Sequence, residues 1–251
     1  MAGFFGLFDY AKPGKGVSKN EPKRSHFVQF FVIMQRKFWK MLQLNLLFIL
    51  FCIPIITIGP AVAAMTYILR CYENEKPVFL LSDFWDAFKS NFKQSLVYGI
   101  LFAVAAFALS VAWQFYFNAT DTNKLMYVPL VMVFIVALMF VFANFYVYPM
   151  IVTLELPLKA IIRNSFLFAV LGMKSNIITL LFLAVLAFIF WLLYIVGGII
   201  FFLIGFSLVG FVIVHNSYRI IKKYAIDPYV KDEIKDAEIV FNDEQIIKED
   251  K

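Results

Sequence analysis

The sequence predicts an all-α, polytopic transmembrane bundle, and three observations carry that reading. Of the 251 residues, 62% are hydrophobic and only 16% charged, far from the balance of soluble domains. Uncharged apolar runs recur at lengths near the ~20 residues that a helix needs to cross a bilayer. The runs are continuous rather than alternating, and lipid offers no partner to open backbone, so helices rather than a barrel are expected. About six membrane-embedded helices follow, with amphipathic helices in the interface and both termini cytoplasmic.

Residues 1–24 read as a flexible basic arm, rich in Gly, Pro and Lys. Pro13-Gly14-Lys15-Gly16 lacks the spacing and the Lys-Ser/Thr ending of a phosphate loop, and no strand precedes it. The arm has no apolar core followed by a cleavage site, so the first hydrophobic span is expected to act as the insertion signal. The membrane domain is placed at 25–225. Its first helix, about 25–53, begins with Phe27, Phe30, Phe31, Met34, Phe38 and Met41 at three- and four-residue spacing, with Gln29, Arg36, Lys37 and Lys40 between them. That pattern starts in the interface and runs into the first apolar stretch.

Pro54 then removes a helical hydrogen bond, and Gly59-Pro60 adds a second break before a leg at about 60–72. Residues 41–69 form either one kinked span or a hairpin of two short legs turning at 54–59. Lysines and arginines favour the hairpin. With the N-terminus inside, a single span would carry the basic segments around Arg70–Lys93, Lys159–Lys174 and Arg219–Lys223 to the outside. A hairpin keeps all of them inside.

An interfacial helix is expected at 79–93, capped by Ser82, with Leu81, Phe84, Trp85, Phe88 and Phe92 on its apolar face. Helices follow at about 95–117, 125–153, 177–196 and 199–224, with another interfacial helix at 157–171. Gly197-Gly198 is expected to form the tight outside turn. Lys89-Ser90-Asn91 and Lys174-Ser175-Asn176 each follow an amphipathic segment and precede a span, a faint internal repeat. Residues 226–251 read as an acidic cytoplasmic tail. From Asp227 onward the net charge is −5, which leaves the body at +11. In a membrane protein such a balance points to cytoplasmic-face anchoring and lipid contact, not to nucleic acid.

Reaction chemistry is sparse. His26 and His215 stand far apart and in no metal-binding spacing, and no serine is framed as an elbow nucleophile. His215 is expected at the inner interface. Cys52 and Cys71, beside apolar helix, read as thiols rather than a disulfide. No catalytic, cofactor-binding or metal residue is expected, and the chain is not read as an enzyme. The stretches 95–117, 125–148 and 177–214 hold no acid, base or histidine, which argues against a charge-driven pump. Glu155 is the exception, expected to pair with Arg163 or Arg70. The candidate structural or partner-contact residues are Asn45, Pro54, Gly59, Pro60, Arg70, Trp85, Asn144, Glu155 and Arg163.

The segments Gly6-Leu7-Phe8-Asp9-Tyr10, Lys12-Pro13-Gly14, Arg36-Lys37-Phe38-Trp39-Lys40, Asn45-Leu46-Leu47, Pro54-Ile55-Ile56-Thr57-Ile58-Gly59-Pro60-Ala61 and Ser82-Asp83-Phe84 resemble the YesL-like family of bacterial integral membrane proteins. The resemblance is most specific over residues 3–92. It implies a multi-pass protein of a bacterial inner or sole membrane, of unassigned activity, in the setting of carbohydrate uptake. The expected function is a non-catalytic accessory or regulatory component of such uptake, with ABC transporter permease or ATPase subunits as partners. Alternatives are a facilitator for small solutes and a lipid-binding envelope scaffold.

Overall fold

The computed structural model describes residues 25–228. The basic arm and the acidic tail beyond 228 lie outside the described residues. The chain divides into two compact units, one ending at Arg36 and the other beginning at Lys37. Helices account for the described elements: α1 (His26–Cys52), α2 (Ile58–Glu73), α3 (Leu80–Ser90), α4 (Phe92–Ala119), α5 (Tyr127–Ile151), α6 (Leu158–Leu171), α7 (Met173–Leu192), α8 (Tyr194–Ile200) and α9 (Phe206–Ile221). A π-helical stretch, Phe201–Gly205, joins α8 to α9, and a second, Lys222–Ile226, extends α9.

Among the described residues, five stretches are long and apolar enough to cross a membrane: Ile55–Glu73, Phe92–Ala119, Lys124–Ile151, Met173–Leu192 and Tyr194–Ile226. α1, the first leg of the expected hairpin, is not among these five. Its charged Arg36, Lys37 and Lys40 and its polar Gln43 and Asn45 interrupt the apolar run. Only 11% of the most apolar window of α4, α5 and α7 is buried, against 61% in α2. The long helices therefore turn most of their surface outward, as lipid-facing helices do, and α2 is the interior one.

The chain reverses between α1 and α2. Lys37 Nζ lies 5.7 Å from the centre of the Tyr72 ring. A single kinked span would hold these residues roughly 50 Å apart at 1.5 Å per residue, so the segment is a hairpin. Its turn is a single 3-10 turn, Ile55–Thr57. The Thr57 hydroxyl sits 2.6 Å from the carbonyl oxygens of both Phe51 and Pro54, which tightens it. The turn presents apolar side chains, with Ile53, Ile55 and Ile56 at 72%, 83% and 65% exposed.

From Glu73 a six-residue connection leads to α3, whose buried face is Phe84, Ala87 and Phe88. Leu81 and Trp85 flank that face rather than forming it, at 67% and 41% exposed. Ser82 is not the cap. The helix starts at Leu80, and the Asp83 carboxylate accepts the Phe79 N–H at 2.9 Å, satisfying one free donor from inside the first turn. Phe51, at the end of α1, packs edge-on against Phe84 and Phe88 and beside Trp85.

The faint repeat has a structural counterpart. α2, a six-residue connection, α3, a one-residue joint at Asn91 and α4 follow the same plan as α5, six residues, α6, a joint at Gly172 and α7. Both asparagines of the Lys-Ser-Asn pairs return to the preceding short helix. The Asn91 amide donates to the Ala87 carbonyl and the Asn176 amide to the Ala169 carbonyl, each at 2.9 Å.

The second reversal falls elsewhere than expected. α7 ends at Leu192, and the turn is made at Leu193–Tyr194, with Tyr194 at φ 47°. Gly197 and Gly198 lie within helix α8. Gly197 is there for close approach: a Cβ would run into the Phe190 carbonyl of α7. A glycine pair thus marks a tight helix–helix contact here, not the loop itself.

Candidate functional site

Two polar arrangements bracket the interior. The first is at Asn45, which is fully buried. Its amide nitrogen donates to the Phe202 carbonyl at 2.7 Å, and its amide oxygen accepts the Ser207 N–H at 3.0 Å. A π-turn breaks the ordinary i→i−4 ladder, so a carbonyl and an N–H on its two sides need other partners. Asn45 supplies both and fastens α1 to the α8–α9 rod. The second is Glu73 with His215. His215 Nδ1 lies 2.7 Å from Glu73 Oε2, with side chains 3% and 12% exposed. His215 is thus a buried partner of α2. Ser217, two residues on, lies roughly 200° around the helix, so a Ser–His–Glu relay is not assembled.

Between them lies a chamber of about 740 Å³, bounded by α1, α2, α4, α5 and the α8–α9 rod. Its wall is made by residues such as Phe48, Val62, Met65, Ile100, Phe145 and Ile213, together with Ile55, Ile56 and Ile58 of the hairpin turn. Its ionisable side chain is the Tyr148 phenol, and Asn144 and Thr66 add the remaining polar groups. Thr66 is spent locally, donating to the Val62 carbonyl at 2.7 Å. Asn144 accepts the Tyr98 hydroxyl at 2.8 Å through its oxygen. Its N–H group and the Tyr148 hydroxyl have no hydrogen-bond partner among the described residues.

One side of the chamber is closed by backbone contact. Gly59 is buried, and a Cβ there would lie 2.5 Å from the Ser95 carbonyl oxygen of α4. Gly99 faces it, 3.5 Å from the Gly59 Cα by the same measure. Glycine is required at position 59 because α2 and α4 touch through main chain.

The sequence candidates divide accordingly. Gly59 and Asn144 line the chamber, Asn45 clamps its far wall, and Pro60, buried, lies in the first turn of α2 beside it. Pro54, exposed, sets the turn in extended conformation. Arg70 lies elsewhere: its Nη1 donates to the Val152 carbonyl at 2.6 Å while the guanidinium covers the Tyr67 ring at 5.0 Å. Glu155 and Arg163 are both exposed and form no ion pair among the described residues, so the expected pairing with Arg163 or Arg70 is absent. Arg70 is drawn instead to the free carbonyl at the end of α5. Trp85 stacks on Phe88 at 5.7 Å and takes the Lys89 ammonium at 4.6 Å, on the outer side of α3. Cys52 and Cys71 are free thiols, the first half-buried and the second buried.

Sequence reading passed over Glu73, Tyr98 and Tyr148. Glu73 was hidden among the charges of an apparent loop. The tyrosines gain a role only from their positions facing one another across α4 and α5, with ring centres 5.3 Å apart.

No solved structure matches the chain. "Uncharacterized protein YesV" of Bacillus subtilis (strain 168) is similar, 30% identical over 162 residues, which covers 64% of this chain and 75% of that protein. The family described as "Protein of unknown function, DUF624" matches residues 41–113, from the middle of α1 through α2 and α3 into α4. That stretch carries the hairpin and the glycine contact that closes the chamber, and with the similarity to the Bacillus protein it shows that the chain belongs to the DUF624 family.

Proposed function

We propose that this chain is a non-catalytic protein of the bacterial cell membrane that acts by binding, an accessory component of carbohydrate uptake whose chamber holds an apolar guest. The observation that carries this reading is the chamber wall. A sugar entering it would lose several hydrogen bonds to water, at about 1–3 kcal/mol for each group left unmatched, and would meet little more than Asn144 and Tyr148 in return. That weighs against a facilitator for oligosaccharides. The buried Glu73–His215 pair, with Ser217 turned away, supports a structural role for the histidine rather than catalysis.

The uptake setting rests on the family resemblance. In that setting the partner is a permease or ATPase subunit of an ABC importer, and nucleic acid has no part. The basic connections lie in the cytoplasm, and the Trp85–Lys89 side of α3 is the natural docking surface for the partner. Co-purification in mild detergent tests this: a permease or ATPase subunit is expected with the wild type and is lost in a Trp85→Ala, Lys89→Ala variant. Recovery of the chain alone in repeated preparations, or sugar flux into liposomes holding only this chain, would overturn it.

A further inference from the structure

We infer that the chamber holds an acyl chain of a bilayer glycerolipid, whose ester carbonyl accepts hydrogen bonds from the Tyr148 hydroxyl and the Asn144 amide. This rests on the chamber being a binding site, and it names the guest.

The wall selects the chemistry. An apolar cavity with two donors unpartnered among the described residues fits a molecule that is mostly hydrocarbon with one acceptor group. A pure hydrocarbon would leave the Tyr148 hydroxyl and the Asn144 N–H unmatched. A sugar would bring many more polar groups than the wall can answer. An acyl ester has the required proportions. At about 740 Å³ the chamber lies inside the roughly 300–1,000 Å³ span of small-molecule sites.

Access points the same way. Ile55, Ile56, Ile58 and Ile100 line the chamber and are also 83%, 65%, 43% and 56% exposed. The opening therefore lies between the hairpin turn and α4. α4 turns its apolar surface outward over most of its length, so the surface around the opening is one that lipid covers. Glycerolipids are the abundant molecules there. Gly59 and Gly99 hold α2 and α4 together at the edge of this opening.

The test uses the full chain in vesicles of phosphatidylglycerol and phosphatidylethanolamine containing a trace of phospholipid with a photoactivatable diazirine in one acyl chain. Lipid adducts are mapped by mass spectrometry at Val62 and Ile213, inside the chamber, and at Val131, on the outer surface of α5. In the wild type, chamber adducts are expected and a non-photoactive diester lipid competes them away. Tyr148→Phe, which keeps the ring and loses only an unpartnered hydroxyl, should lower them roughly five- to tenfold, the worth of one hydrogen bond. Ala103→Phe, which fills the chamber without touching a hydrogen bond, should abolish them. Val131 adducts and melting temperature should stay constant in the Tyr148→Phe variant.

Chamber adducts that are absent in the wild type, equal in wild type and Tyr148→Phe, or competed as well by a plain alkane would overturn the inference. So would internal crosslinks placing residues 1–24 in the chamber. Loss of the lipid with partner co-purification intact removes only the guest. Lipid labelling without any partner removes only the accessory reading.

Discussion

The two helix–connection–helix–joint–helix units share a plan but not a way of being held together. In the first, the leading helix α2 has 16 residues, against 25 for α5 in the second. The shorter helix leaves room between α4, α5 and the α8–α9 rod, and the apolar hairpin turn and the chamber occupy it. The first unit is held by main-chain contact at Gly59 and by edge-on packing of Phe51, from α1, on Phe84 and Phe88. The side chain of its joint residue, Asn91, bonds only within its own turn, to Ala87 and to the neighbouring Ser90.

The second unit is joined by hydrogen bonds. Asn176, 3% exposed, accepts the Tyr146 hydroxyl at 2.7 Å and donates to the Ala169 carbonyl, so one amide ties α5, α6 and α7. Around it Phe142, Met150, Ile161 and Phe168 fill the space that the first unit leaves open. The difference shows how one backbone plan serves as a chamber wall in one copy and as a filled core in the other.

The sharpest way to break this contrast is at Asn176. Asn176→Leu strands a buried hydroxyl and a buried carbonyl and should cost about 3 kcal/mol, read as the shift of the unfolding transition in detergent. Gly59→Ala comes next. Its Cβ would press on the Ser95 carbonyl, and overpacking against backbone should cost about 2 kcal/mol. That variant should also lower lipid labelling in the chamber, whereas Asn176→Leu should lower stability alone. Asn91→Ala, the counterpart of the first change, should cost only about 1 kcal/mol because its bonds are local and partly solvated. A cost equal to that of Asn176→Leu would show that the two asparagines are equivalent after all. The smallest effect belongs to Lys89→Met, which removes the cation over Trp85 at about 0.5 kcal/mol. Its consequence should appear in partner co-purification rather than in the unfolding transition.

Much of this architecture was legible in the residues. Apolar runs and their breaks mark most helices, because length and hydropathy decide what a bilayer accepts. The lysine distribution favoured the hairpin, and the Lys37–Tyr72 contact realises it. Asn45 stood out as a polar residue in apolar surroundings, but its partners could not be foreseen, since the π-turn it serves lies 157 residues away. The Gly197-Gly198 pair misled for a physical reason: glycine permits both sharp turns and close helix contact, and only the second is used. The chamber was the least legible feature. It depends on which faces of α2, α4 and α5 meet, and α4 and α5 carry almost no periodic pattern to orient them. Glu155 drew attention as a lone acid, although the acid with a buried partner is Glu73.

The π-turn at Phe201–Gly205 has a lasting effect on everything after it. One additional residue in a helix rotates all later side chains by roughly 100° about the axis. Gly210 meets Leu69 and Met65, and His215 meets Glu73, only because of that added twist. Shortening the rod by a single residue between 201 and 205 would leave an unbroken helix of nearly the same length. It would also swing the histidine out of reach of its carboxylate and free both arms of Asn45, so the phase of this rod is fixed by an amide on another helix.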